Sequence, residues 1–260
     1  MSVYDRIGDG YDLTRRADPY LATRIAHQIM PHAGCRYLDV ACGTGNYTVA
    51  LERQGGKWWG VDASATMIEQ AKGKSATITW ACAAAEQLPF PDGFFDGALC
   101  CLALHHFGSL VDAWHGIRRV MGRGALVIFT STPEQMRGYW LNAYFPETMR
   151  RSMAQMPAAD LVERTLVASG FVVTRERYFV QPDLADGFLY SGKLRPHVYL
   201  SEQMRAGSST FRTLADPREV QEGVRRLRDD LETGRFAQIA TQFESPLGDY
   251  LFLVARLPRT

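Results

Sequence analysis

Two rhythms of apolar residues alternate along the first half of the chain. After Asp18-Pro19, a favourable helix start, Leu21, Ile25, Ile29 and Met30 recur at helical spacing, and Pro31 and Gly34 close the element. Short apolar runs then predict strands at Cys35–Val40, Lys57–Val61, Ala76–Ala81, Phe94–Cys101 and Gly124–Thr130. Thr77, Ile78 and Thr79 supply the β-branching that suits a pleat. Between the strands, helices are expected from about Asn46 to Arg53, over Ser64–Lys72 with Ser64 as cap, and over Leu110–Met121 with Ala113, Ile117 and Val120 on one face. Gln87–Gly93 is turn-rich. Apolar strands alternating with helices of this length predict a parallel sheet covered on both faces.

The second half is less regular. Tyr139–Met149 and Ala159–Ser169 read as helices, Phe171–Val180 as an alternating strand, and Tyr250–Leu257 as a final strand. About 65 residues separate the last two strands, far more than an ordinary connection. That stretch holds Pro, Gly and Ser clusters, its own aromatic residues and a strongly charged helix at Asp216–Thr233, so a functional cap is expected there. No internal repeat or low-complexity tract is present.

Composition narrows the class. With 260 residues, 46% hydrophobic and 22% charged, the chain can bury a sizeable core as one large domain or two small ones. A net charge of +1 gives no reason to expect a polyanionic partner, and no basic run carries the aromatic interleaving of a nucleic-acid groove. The cysteines at 35, 42, 82, 100 and 101 show no CxxC spacing, lie in or beside predicted strands, and fit a reducing setting as small hydrophobes. The opening MSVYDRIGDGYD lacks the apolar core of a signal peptide, and no segment reaches the length of a membrane span. The expectation is a soluble, cytoplasmic protein with no membrane or nucleic-acid partner.

The stretch LDVACGTGNYT (Leu38–Thr48) runs from a strand into a glycine turn. Gly43 and Gly45 remove side chains that would keep a ligand from the backbone, and the next helix presents a positive N-terminus. A bare tight turn gives the same pattern. The dinucleotide fingerprint GxGxxG is not matched: the pattern is DxAxGxG, with Asp39 ahead of the glycines and no third glycine. An acid here repels a pyrophosphate and suits an amino group. Asp62, ending WWGVD, stands where ribose hydroxyls are held, or caps a helix together with Ser64.

LDVACGTGNYT, WGVDAS, ACAAAEQLPFPDGFFD, LALHHF and RVMGRGALVIF resemble, in order and spacing, the successive motifs of class I S-adenosylmethionine-dependent methyltransferases. The nearest likeness is to the small-molecule methyltransferase type 11 group that includes quinone-biosynthesis C-methyltransferases, and it spans roughly residues 1–131. The resemblance implies S-adenosylmethionine as cofactor. Asp39 would face its methionine amino group, with Ala41, Gly43, Gly45 and Asn46 at the turn beside it. Asp62 would hold the ribose, Ala63 and Met67 would pack near the adenine, and Ala85 and Glu86 would sit at the adenine edge. Leu102 would contact the methionine portion. VYDRIGDGYDLTRR resembles the family's tyrosine-bearing lead-in, in which Tyr11 and Arg15 approach the sulfonium and carboxylate ends; Tyr4, seven residues earlier, would share a helical face with Tyr11. Two positions depart from the pattern. Ala41 replaces a glycine, and Ala84 replaces an aspartate that binds the adenine amine, leaving Glu86 or water for that contact.

Methyl transfer from a sulfonium needs alignment and exclusion of water more than covalent help. His105 and His106, after the fourth strand, are the candidates for a general base where the acceptor arrives protonated; capping and packing are the alternative. With Tyr11 they are expected to shape the reaction centre. No metal site is expected, because adjacent residues such as Cys101, His105 and His106 seldom converge on one ion. The acceptor is expected between the sheet edge and two insertions, 132–157 and 182–245. There Tyr139, Trp140, Tyr144 and Phe145 either cover a cavity or seal the core. Arg195, His197, Tyr199 and Arg205 stand close in sequence, and the arginines either receive an anionic acceptor or pair with the acids of the 216–233 helix.

The expectation is therefore one α/β domain over residues 1–260, with a Rossmann-like, seven-stranded mixed sheet of six parallel strands and an antiparallel last strand. Its cofactor-binding core is 1–131, and the two insertions form a helical cap. The expected function is methyl transfer to a small organic acceptor. An NAD(P)-dependent oxidoreductase and a cofactor-binding protein without methyl transfer stand as alternatives.

Overall fold

A computed structural model of the protein describes residues 11–258. The helix α1 (Pro19–Ile29) leads into β1 (Arg36–Val40), α2 (Asn46–Glu52), β2 (Lys57–Asp62), α3 (Ala65–Lys72), β3 (Thr79–Cys82) and β4 (Gly97–Cys101). Then follow α4 (Leu110–Val120), β5 (Ala125–Thr130), α5 (Pro133–Met136), α6 (Leu141–Tyr144), α7 (Pro146–Gln155), α8 (Ala159–Ala168) and β6 (Val172–Tyr178). The second long connection holds α9 (Glu202–Ala206), a π-helical turn at Thr210–Leu214, α10 (Pro217–Glu232) and α11 (Phe236–Thr241), before β7 (Tyr250–Arg256) closes the fold.

The seven strands lie in the order β3-β2-β1-β4-β5-β7-β6. β1 to β5 pair in parallel, while β7 inserts antiparallel between β5 and β6. Six strands thus share one direction and the last opposes them, as the sequence predicts. On one face α1 and α2 pack Leu21, Ile25 and Leu51 against Tyr37, Trp58 and Phe129. On the other, α4 and α8 pack Trp114, Ile117 and Leu166 against Leu38, Val40 and Ile128. The carboxyl ends of the parallel strands gather on one edge, where open α/β sheets hold their ligands.

Three boundaries differ from expectation for local reasons. The third strand starts at Thr79 rather than Ala76, because the hydroxyls of Ser75 and Thr77 bind Glu52 at 3.3 and 2.6 Å instead of joining the sheet as strand residues. The fourth starts at Gly97 rather than Phe94: Asp96 is engaged with Arg36, accepting its N–H at 2.9 Å, and Phe95 forms only an isolated bridge to Met121. The single helix expected over Tyr139–Met149 is two, α6 and α7, divided at Phe145 because Pro146 has no N–H to continue the ladder and starts a new helix instead.

The aromatic cluster of the first insertion seals the core. Tyr139 stacks on Tyr190 with centroids 3.9 Å apart, and Trp140 meets Tyr199 and Phe236 edge-on. Tyr144 and Phe145 lie under α10, which comes close because residue 223 is glycine; a Cβ there would strike the Phe145 ring. Arg195 and Arg205 follow neither expected course. Each donates to a main-chain carbonyl, Arg195 to Leu184 and Arg205 to Tyr199, inside their own insertion.

Candidate functional site

A cavity of about 740 Å³ opens at the carboxyl edge of the sheet. Its floor is the turn after β1, where Ala41 and Gly43 have φ of 57° and 55°. A Cβ on Gly43 would meet nothing within 4 Å, so this glycine keeps the backbone open to a ligand. Gly45 has a different task. It takes φ 76° at the cap of α2, and a Cβ there would collide with the Trp80 indole, so it admits that ring rather than lining the cavity.

Of the residues singled out from the sequence, Tyr11, Arg15, Asp39, Ala41, Gly43 and Asn46 line the cavity. So do Asp62, Ala63 and Met67 after β2, Ala85 and Glu86 after β3, and Leu102, His105 and His106 after β4. Gly45 stands behind the wall, and Tyr4 lies outside the described residues.

The acids differ in how far they are already engaged. Asp62 Oδ2 accepts the N–H of Gly43 at 2.9 Å and Oδ1 that of Ser64 at 2.8 Å, fixing the carboxylate at the strand end. Glu86 Oε1 accepts the N–H groups of Gly108 and Ser109 at 2.8 and 3.3 Å, tethering the start of α4. Asp39 is buried; its Oδ2 accepts from Thr48 Oγ1 at 2.6 Å, whereas Oδ1 has no partner. Burial, helped by the charge of Asp62 and opposed by the Thr48 hydrogen bond, raises its pKa to about 7. A buried carboxylate with an orphan oxygen suits an ammonium group, which is the feature the methionine end of S-adenosylmethionine brings. The donor set therefore fits that cofactor.

The two histidine rings lie with centroids 3.8 Å apart and are tilted by 47°. Burial, with the neighbouring His106, lowers the pKa of His105 to about 3, and burial lowers that of His106 to about 4. Both imidazoles are neutral at ordinary pH, and Nδ1 of His105 is buried without a partner. They orient and accept hydrogen bonds well but hold a proton poorly. Cys42 and Cys101 also line the wall; burial, then nearby Asp39, pushes both thiols up, so neither supplies a thiolate. No group of three or more potential metal ligands occurs among the described residues.

The segment before α1 lines the cavity through Tyr11 and Arg15 and is fastened at Asp12 and Arg15. Asp12 takes Lys74, Thr44 and Asn46 at 2.6, 2.7 and 3.0 Å, and Asn46 also donates to the Arg15 carbonyl at 3.0 Å. Arg15 Nε donates to Asp186 Oδ1 at 2.6 Å, and Tyr47 donates to Oδ2 at 3.1 Å. Although burial works against the charge, Asp186 holds the Arg15 guanidinium well above its usual range. Sequence reasoning missed Asp12, Lys74 and Asp186. The only signal for Asp186 is an acid set inside the apolar run Leu184–Tyr190.

Residues 38–129 match the family described as a methyltransferase domain. A demethylmenaquinone methyltransferase of Staphylococcus aureus is 26% identical over 182 residues, covering 60% of this chain and 76% of that protein. A crystal structure of a proposed methyltransferase from an antibiotic biosynthesis pathway of Anabaena variabilis superposes with a TM-score of 0.83 at 29% identity, covering 94% of this chain and 99% of the other. The cyclase SpnF shares the fold, with a TM-score of 0.60 at 21% identity over 93% of this chain and 82% of its own. The match over residues 38–129, these relatives, the sheet order and the chemistry of the cavity converge: the chain carries a methyltransferase domain and is similar to the class I S-adenosylmethionine-dependent methyltransferases, which supports S-adenosylmethionine as its cofactor.

Proposed function

We propose that this chain methylates a small organic acceptor at O, N, C or S, acting in the cytoplasm, with residues 1–131 as cofactor core and 132–157 and 182–245 as cap. The supporting observation is that one cavity runs from Asp39 and Asp62 past Leu102 and the histidines to residues of both insertions, among them Met136, Ser152, Phe188 and Ser208. The name of the S. aureus relative, a demethylmenaquinone methyltransferase, agrees with a small organic acceptor. So does the size of the cavity, which is that of a small-molecule site.

When bound, the cofactor supplies an electrophilic methyl on a sulfonium. The chain's contribution is placement. Asp39 would hold the amino end through its free oxygen, Asp62 the ribose, Ala63 and Met67 the adenine face, and Ala85 and Glu86 its edge. The backbone of Ala41, Gly43 and Leu102, with Asn46, shapes the methionine end. The Tyr11 ring, with the Arg15 guanidinium 5.1 Å from its centroid, would attract the sulfonium. Water is kept out by the fastened segment before α1, which favours transfer through alignment. His105 and His106, neutral, accept a hydrogen bond from the acceptor and steer it. A proton lost by the acceptor reaches solvent by way of His106, which is exposed.

The test is incubation of purified protein with methyl-labelled S-adenosylmethionine and a metabolite extract. A labelled product of low molecular mass is expected. Label confined to macromolecules, or no labelled product, overturns the proposal.

A further inference from the structure

Every charged group on the cavity wall is engaged or lies at its cofactor end. Asp39 and Asp62 stand at the carboxyl ends of β1 and β2, and Glu86 on the loop after β3. Beyond them the only charged residues on the described wall are Arg15 and Asp186, and these neutralise one another at 2.6 Å, with the second Asp186 oxygen taken by Arg15 Nη2 and Tyr47. The rest of the acceptor side, facing the histidines, is of two kinds. Ser152, Ser208, Ser209 and Thr210 bring hydroxyls, while Met136, Met156, Phe188 and Leu189 bring apolar surface.

The hydroxyls are placed there by construction. α9 ends at Gly207, where a Cβ would collide with Thr14 of the segment before α1, so the chain can press against that segment only with glycine. The next residues turn inward, and the π-helical turn from Thr210 carries them along the wall; such turns recur at functional sites. Ser152 of α7 and Thr210 share a hydrogen bond of 2.8 Å, joining the two insertions across the cavity wall. Opposite, Nδ1 of His105 is buried without a partner.

From this wall we infer that the acceptor is an uncharged molecule: an apolar body, such as an aromatic ring, bearing hydroxyl or carbonyl groups read by Ser208, Ser209 and Thr210. A carboxylate or phosphate would enter a space whose one cation among the described residues is already paired, and an ammonium a space whose one anion among them is doubly occupied. Burying either charge without a partner is strongly unfavourable. A phenol or carbonyl instead finds donors and acceptors in the hydroxyls and the imidazoles, and its carbon frame finds the methionines and Phe188. The inference rests on the methyltransferase reading and adds the acceptor's chemical class to it.

The experiment uses full-length protein loaded with S-adenosylhomocysteine and matched sets of phenols, benzoates and benzylammonium salts, with binding read by ligand-observed NMR. Phenols are expected to bind at least tenfold more tightly than either charged set. Ser209→Arg, which places an unpaired cation on the wall, is expected to admit benzoates. Gln155→Arg, at the exposed rim, serves as a second such variant should the first fail to fold. The inference is overturned if a charged set binds the parent protein as tightly as the phenols, if no set binds, or if neither variant gains benzoates. S-adenosylhomocysteine affinity is measured on the same samples, so failure to load counts against the methyltransferase reading, and failure of the acceptor pattern after loading counts against this inference alone.

Discussion

The two sides of the cavity are built on opposite electrostatic principles. On the cofactor side, Asp39 keeps an oxygen unused in a buried position, and its pKa of about 7 records how poorly its charge is solvated until a cation arrives. On the insertion side, the Arg15–Asp186 pair spends its charge internally, fastening the segment before α1 and leaving hydroxyls and apolar groups to face the space. A charged site selects by charge and an internally paired one by shape and hydrogen bonding. The contrast teaches that a buried acid can be a binding group or a fastener, and that its hydrogen-bond partners tell which.

The contrast is broken most strongly at the fastener. Asp186→Ala leaves Arg15 buried and unpaired and is expected to cost about 3–5 kcal/mol in urea unfolding, while the double variant Arg15→Met/Asp186→Leu recovers much of it. Acid comes next. His105 and His106 have folded pKa values below the usual 6.5, so their contribution to stability is lost as pH falls from about 6.5 toward 4. Asp39, with its folded pKa raised, works in the other direction over the same range. His106 is exposed, so solvent screens its share; His105 and Asp39 then act one against one, and the stability of the parent is expected to change by less than about 1.4 kcal/mol between about pH 6.5 and 4.5. In the variant His105→Asn/His106→Asn only Asp39 is left to titrate, and stability should rise by about 1.4 kcal/mol per pH unit as pH falls, which denaturation midpoints across this range will show.

The binding group is expected to matter less for the fold and more for the ligand. Asp39→Asn keeps an oxygen for Thr48 and should leave the melting behaviour intact, while weakening S-adenosylmethionine binding about 100-fold through loss of a charge-assisted hydrogen bond. The smallest effect is at Ala41, which sits at φ 57° in the left-handed region. Ala41→Gly relieves that backbone and should stabilise the protein by about 1 kcal/mol in thermal unfolding.

The sequence makes these halves legible to different degrees, because one is local and the other is not. Asp39, Gly43 and Asp62 lie at or just beyond the ends of β1 and β2 in motifs a few residues long, so the family resemblance could place them, although the turn alone could not. The insertion side is assembled from residues far apart: Arg15 meets Asp186 across 171 positions and Ser152 meets Thr210 across 58. No periodicity carries such pairings. Trp80 shows the same limit, since Gly45 looks like a ligand-binding glycine until the indole that packs on it is seen. The aromatic run Tyr139–Phe145 could be read as cavity cover or core, and only its stacking on Tyr190, Tyr199 and Phe236 decides for the core.

The most direct test of the divided cavity is calorimetric titration of S-adenosylmethionine into the parent protein and Asp39→Asn near pH 7, in buffers of different ionisation enthalpy. Because Asp39 is about half protonated there and must ionise to meet the ammonium, the parent should release more protons on binding than the variant, and its affinity should rise from about pH 6 to 8 while that of the variant does not. Equal proton release and equal affinity in the two proteins would contradict the assignment of Asp39 as the binding group.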